Sequence, residues 1–172
     1  MSAPIEGADM NQQEIAEVLA KPYAQQLLHS TDPLRLAYDG LDGDPRVVPI
    51  GFWLEDGRIT MATATNAPKV AALRAKPAVA ITIDTNAFPP KVLLLRGVVD
   101  LETVDGPPEG YLEGGKTFMT PEQYAEWEAG VRGLYDQMVV IRVTPTWAKL
   151  LDFETTIPQA VEELMEAKAG RG

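Results

Sequence analysis

The stretch RVVPIGFWLEDGRITMATATNAPKVAALRAKPAVAITIDT, Arg46 to Thr85, decides the fold. It opens as a strand. Val48, Ile50, Phe52 and Leu54 put four bulky apolar side chains on one face, and Val47, Pro49, Gly51 and Trp53 fall on the other. Asp56-Gly57 is a two-residue hairpin signal, and RITMATAT after it reads as the returning strand. Asn66 is placed to cap a helix with Pro68 in its first turn, where the missing N–H does no harm. That helix is short and stops at Pro77. AVAITIDT then reads as a buried strand with Val79, Ile81 and Ile83 on one face.

Working outward, Gln12 to His29 reads as a helix broken near Lys21-Pro22, and PLRLAYDG as the first strand. Downstream, KVLLLRGVVDLETV is a long strand broken or bulged at Gly97. The Pro/Gly-rich DGPPEGYLEGG, Asp105 to Gly115, reads as a loop. Thr120, Pro121, Glu122 and Gln123 announce a helix start. MVVIRVTP is the last clear strand, continued by WAKLLDF after a kink at Pro145, and a C-terminal helix occupies 158–172. Helices do not alternate with every strand, which disfavours a doubly wound parallel sheet. The order predicts one α+β domain over residues 1–172, mainly β: a six-stranded antiparallel barrel with peripheral helices, preceded by a helical segment over 1–30.

Composition narrows the function. The chain of 172 residues is 45% hydrophobic, enough for a sizeable core, and carries a net charge of -10, which argues against nucleic acid as a partner. It has no cysteine and one histidine, His29, so no disulfide framework or thiolate chemistry is available and no metal site is expected. His29 sits where a helix ends, an ordinary place for a cation. No stretch is long and apolar enough to span a bilayer. The acidic N-terminus lacks the basic-then-apolar order of a signal peptide, so a cytoplasmic protein is expected. Charge is uneven: Arg58 to Arg96 holds six basic residues and one acid, Asp84, a basic island suited to a small anion or simply a solvated surface.

Two features bear on chemistry. Pro49 cannot donate to a ladder and Gly51 has no side chain. Such residues inside a strand mark either a bulge or edge strand, or a place where a planar ring approaches the backbone. Thr63 and Thr65 share a face of the next strand, and Lys69 follows in the first turn of a helix, where the dipole prefers an acid. Two hydroxyls, a helix start and a lysine within seven residues form a phosphate cradle. Equally, Lys69 is a solvated surface lysine. Neither a Walker loop nor a dinucleotide-binding glycine motif is present.

The ordered set from Leu34 to Leu101 resembles the pyridoxamine 5'-phosphate oxidase-like superfamily, the split β-barrel flavin and deazaflavin proteins. A Pro-containing strand, a hairpin, a Thr-ending strand, a helix with an early Lys and a late Leu-Arg, VAITID, and VLLLRGVVDLE with its Arg-Gly pair occur in the family's order. IRVTPTWAKLLDF matches more loosely. The resemblance implies a homodimer with two cofactors, FMN or the deazaflavin coenzyme F-420, at the subunit interface. It implies that Pro49, Ile50, Gly51, Phe52 and Trp53 flank the ring and that Thr63, Thr65 and Lys69 hold the phosphate or nearby hydroxyls. By position, Asp84 and Arg96 add polar contacts, Trp147 and Lys149 reach the cofactor of the partner subunit, and Arg58, Arg74, Lys76 and Lys91 form a basic groove for a polyanionic tail. The Arg- and Lys-rich C-terminal substrate motifs of authentic pyridoxamine phosphate oxidases are not visible, and the C-terminal histidine of haem-degrading relatives is missing. The implied activity is therefore a flavin- or deazaflavin-dependent oxidoreductase acting on a small organic substrate, with Tyr38 and Tyr135 as possible proton donors. The competing expectation is a non-catalytic flavin carrier or sensor. The Asp105–Gly115 segment discriminates: over the ring with space beneath it, it favours an enzyme; plugging the ring face, a carrier.

Overall fold

A computed structural model describes residues 9–170. The element order is α1 (Gln12–Leu19), α2 (Pro22–Leu28), β1 (Leu34–Asp39), β2 (Pro45–Ile50), β3 (Trp53–Glu55), β4 (Arg58–Ala64), α3 (Pro68–Ala75), β5 (Ala78–Asp84), β6 (Val92–Asp105), α4 (Glu109–Lys116), α5 (Pro121–Leu134), β7 (Gln137–Leu151) and α6 (Gln159–Ala169). Seven strands form one sheet in the order β2-β1-β5-β6-β7-β4-β3, with every neighbouring pair antiparallel.

The six strands expected become seven because RVVPIGFWL does not stay in one ladder. It leaves β1 after Ile50 and joins β4 at Trp53, so one half lies on each edge of the sheet. Only Gly51 and Phe52 separate the two edges, a reach of at most ~11 Å. The sheet must therefore curl until its edges meet, closed by the chain rather than by hydrogen bonds. This is a split barrel.

Alternation fills the interior. Leu34 and Leu36, Met61, Ile81 and Ile83, Leu93 and Leu95, and Val139 and Ile141 point inward, each at most 3% exposed. Val48, Ile50, Phe52 and Leu54 pack against this core as their face predicted. Ile15, Leu27 and Leu28 join it from α1 and α2, with the break where Lys21-Pro22 placed it, since Pro22 serves as the first residue of the second helix. The bulge at Gly97 is present as a register shift between Arg96 and Gly97 opposite Pro145. A Cβ at Gly97 would stand 2.5 Å from the Thr144 carbonyl oxygen, so only glycine fits. β7 runs on through Pro145, and its bulge carbonyls find partners in the N-terminal segment: the Met10 N–H donates to Thr146 at 2.9 Å and the Gln12 amide to Pro145 at 3.2 Å.

Two local expectations are corrected. Asn66 does not cap α3: Ala67 holds the N-cap position without a side-chain bond, because the turn after Ala64 is one residue longer than the spacing suggested. Asp105–Gly115 is mostly helix rather than loop. Glu109 sits in the first turn of α4 and Lys116 in the last, and Leu112 is fully buried. The glycines that argued for a loop let indole rings lie on the helix: a Cβ on Gly110 would collide with Trp53 and one on Gly115 with Trp127. Packing by two tryptophans outweighs the helix propensity lost at glycine, about 1 kcal/mol each. α5 starts where Thr120 to Gln123 placed it, and a capping box joins Thr120 and Gln123.

Candidate functional site

The break between β2 and β3 forms one wall of a cavity of about 600 Å³. Ile50, Gly51, Phe52, Trp53 and Leu54 line it from the strands, with Ala62 of β4 beside them. The opposite wall is the α4–α5 hairpin, which contributes Tyr111, Phe118, Met119 and Trp127. His29, Ser30 and Thr31, the segment leaving α2, complete it. Gly51, exposed and among the lining residues, would place a Cβ with no protein atom within 4 Å, so the backbone there is uncovered.

The walls are held firmly. Tyr111 stacks on Trp127 with centroids 5.9 Å apart and planes 23° apart, and Tyr124 leans on the same indole. Burial, with a smaller contribution from Tyr135, holds the Tyr111 phenol above the usual tyrosine range, so its hydroxyl is protonated and able to donate near neutral pH. β3 is only three residues long and would make a weak edge alone. Arg142 anchors it, with Nε on Glu55 and Nη1 on Glu102, both at 2.7 Å, tying β3, β7 and β6 together. The two carboxylates hold the Arg142 guanidinium above its ordinary range.

The structure divides the residues singled out in the sequence among three places. Ile50, Gly51, Phe52 and Trp53 share the cavity, while Pro49 lies exposed on β2 opposite Arg35. Thr63, Thr65, Lys69 and Arg74 follow β4 away from the cavity wall at Ala62 and do not line it. Lys69 is half-buried in the first turn of α3, a turn without an acid, and no carboxylate pairs with it among the described residues. Thr65 is exposed just past β4, and Arg74 reaches only the Thr103 hydroxyl, at 3.4 Å. Arg96 and Trp147 pair across β6 and β7 on the outer face of the sheet, the guanidinium 4.4 Å from the centre of the indole. With Lys149 they line a second cavity of about 530 Å³ beneath α6.

The expected basic groove is corrected. Arg58 pairs with Asp100, Lys76 with Asp39, and Lys91 with Glu154 at 3.2 Å. Lys91 also lies over the Tyr23 ring and donates to the Asp152 carbonyl. Of Arg58, Arg74, Lys76 and Lys91, only Arg74 is without a carboxylate partner among the described residues. Asp84 is taken up by Arg35 at 2.9 Å. Tyr38 and Tyr135 do not line the cavity beside Gly51; Tyr38 packs on the core and Tyr135 ends α5. Tyr111, Trp127 and the His29–Thr31 segment were missed. The signal for Tyr111 was the glycine beside it, Gly110, in a helix-length segment; Trp127 and the third leave none.

The resemblance read from the sequence holds: this is the fold of the pyridoxamine 5'-phosphate oxidase-like superfamily. An F420 reductase is 26% identical over 73% of this chain and 94% of its own, with a TM-score of 0.56. A protein related to general stress protein 26, of the pyridoxinephosphate oxidase family, from Clostridium acetobutylicum is 16% identical over 86% of this chain and 94% of its own, with a TM-score of 0.54. The haem storage protein of Vibrio cholerae shares the fold at 20% identity over 77% of this chain and 93% of its own, with a TM-score of 0.54. No protein-family model and no curated protein matches the sequence.

Proposed function

We propose that the protein is an oxidoreductase that holds a flavin or deazaflavin ring in the cavity beside Gly51 and acts on a small organic substrate. The observation that carries this reading is the bare backbone at Gly51 facing a cavity of about 600 Å³, within the range of small-molecule sites. A planar ring lies flat where a side chain would stand. Bound there, FMN or F-420 supplies the hydride chemistry. The chain's own residues bind and shield: Phe52, Trp53 and Trp127 exclude water, and Tyr111 offers a protonated hydroxyl to the substrate. Lys69, half-buried and without an acid, is the residue to receive a phosphate at the start of α3. The similarity to an F420 reductase supports the deazaflavin as much as FMN.

The α4–α5 hairpin favours an enzyme over a carrier, because it stands over the cavity and leaves it open. We also infer a homodimer. Val161, Leu164 and Met165 form an exposed apolar stripe on α6, beside the cavity that holds Arg96 and Trp147. Titration of the purified protein with FMN and with F-420, followed by absorbance and light scattering, tests both. Saturable binding of one cofactor to a dimer is expected. A Soret band on haem addition with no binding of either cofactor would overturn the reading.

A further inference from the structure

Resting on the reading of this cavity as the site of turnover, we infer the class of its ligand: an uncharged aromatic molecule with one hydrogen-bonding oxygen at the end that meets Ser30. In a chain of which 23% of residues are charged, the cavity walls contain no Asp, Glu, Lys or Arg. A charged substrate entering it would lose hydration and find no counter-charge. Trp53, Tyr111, Phe118 and Trp127 supply aromatic surface to its lining, which suits a flat apolar body.

One end differs. The backbone of Ser30 is fixed by its N–H on the Leu27 carbonyl at 3.1 Å, the last bond of α2. Its hydroxyl oxygen is buried and has no hydrogen-bond partner, and no other buried side-chain polar atom among the described residues is left so. Buried hydroxyls are normally satisfied, and an orphan costs stability. His29 beside it does not serve: its Nδ1 lies 2.9 Å from the Gln25 carbonyl oxygen, and no hydrogen bond joins its ring to the Ser30 hydroxyl. Ser30 borders the cavity, and its hydroxyl turns between staggered rotamers about a single bond. A carbonyl or hydroxyl oxygen on a ligand supplies the missing partner.

The test uses three probes on the full chain, before and after cofactor loading: naphthalene, 2-naphthol and naphthalene-2-sulfonate, with affinities from ligand-observed NMR. 2-Naphthol is expected to bind about fivefold or more tighter than naphthalene, and the sulfonate at least tenfold weaker than 2-naphthol. Ser30→Ala should abolish the advantage of the naphthol and leave naphthalene unchanged, while Ser30→Thr, which keeps a hydroxyl, should retain it. A sulfonate that binds as well as the naphthol, or an advantage that survives in folded Ser30→Ala, overturns the inference. Cofactor titrations on the same samples separate the two claims. Probes in the wrong order with cofactor bound overturn the ligand class alone. Probes in the right order with neither cofactor bound overturn the oxidoreductase reading and leave the ligand class standing.

Discussion

Replacing Lys69 by glutamate should move stability and affinity in opposite directions. Lys69 occupies the second position of α3, in a first turn that contains no acid, and α3 has no side-chain cap to satisfy its free N–H groups. A cation there opposes the helix dipole by about 0.3–1 kcal/mol. Lys69→Glu reverses that term, so the cofactor-free protein should be as stable as the wild type or more so. A phosphate at the same turn gains a charge-assisted hydrogen bond from Lys69, typically about 1.5–3 kcal/mol. Its loss corresponds to at least about tenfold in affinity, since ~1.4 kcal/mol is a factor of ten. FMN and riboflavin share the ring and differ in the phosphate. Titrating both into wild type and variant, with urea midpoints measured alongside, should show FMN weakened by tenfold or more, riboflavin nearly unchanged and the midpoint unmoved or raised. Equal losses for the two ligands, or none for either, would refute the cradle and leave Lys69 a surface lysine.

Further expectations concern the scaffold. Asp152 is buried in the turn after β7, where its carboxylate accepts from the Thr155 hydroxyl at 2.6 Å and from the N–H groups of Glu154, Thr155 and Thr156. The Thr155 hydroxyl and these backbone groups hold it well below the usual carboxylate range. A depressed folded-state value means that its contribution is complete above the unfolded value, about 4, and is lost as pH falls through the lower folded one. Urea midpoints should therefore decline more steeply below about pH 4 in the wild type than in Asp152→Asn, which should be less stable at pH 7; parallel acid limbs would remove Asp152 from the account. Gly97→Ala should cost about 1–3 kcal/mol by chemical denaturation, because its methyl would stand 2.5 Å from the Thr144 oxygen in a bulge tied down by the N-terminal segment. An unchanged midpoint would show that the bulge relaxes freely.

Much of the barrel was legible because period-two alternation is a local signal. Val79, Ile81 and Ile83, and Val48, Ile50, Phe52 and Leu54, face the interior as read. Gly97 announced its bulge, and Thr120 with Gln123 its helix start. What escaped was tertiary. Alternation continues unbroken through Gly51 and Phe52, so nothing local says that β3 crosses to the far edge of the sheet. Three glycines made α4 look like a loop, since the indoles that rest on it come from Trp53 and Trp127, outside the segment. The basic run from Arg58 to Arg96 looked free because its acids are distant in sequence: Asp100 is 42 residues from Arg58, and Asp39 is 37 from Lys76. Ser30 carries no sequence signal, as an unmet hydroxyl exists only once its surroundings are built. The bare strand at Gly51 was legible in kind, as a place of close approach; that it faces a cavity roofed by α4 and α5 was not.

The most direct measurement of the central claim is cofactor binding to Gly51→Val. Valine at 51 meets no protein atom within 4 Å of its Cβ, and Gly51 does not adopt a positive φ, so urea and thermal midpoints should equal or exceed those of the wild type. Its branched side chain projects into the space assigned to the ring. Whichever of FMN and F-420 the wild type binds should lose at least tenfold in affinity to the folded variant. Undiminished affinity in a folded Gly51→Val protein would contradict the account and move the ring to another face.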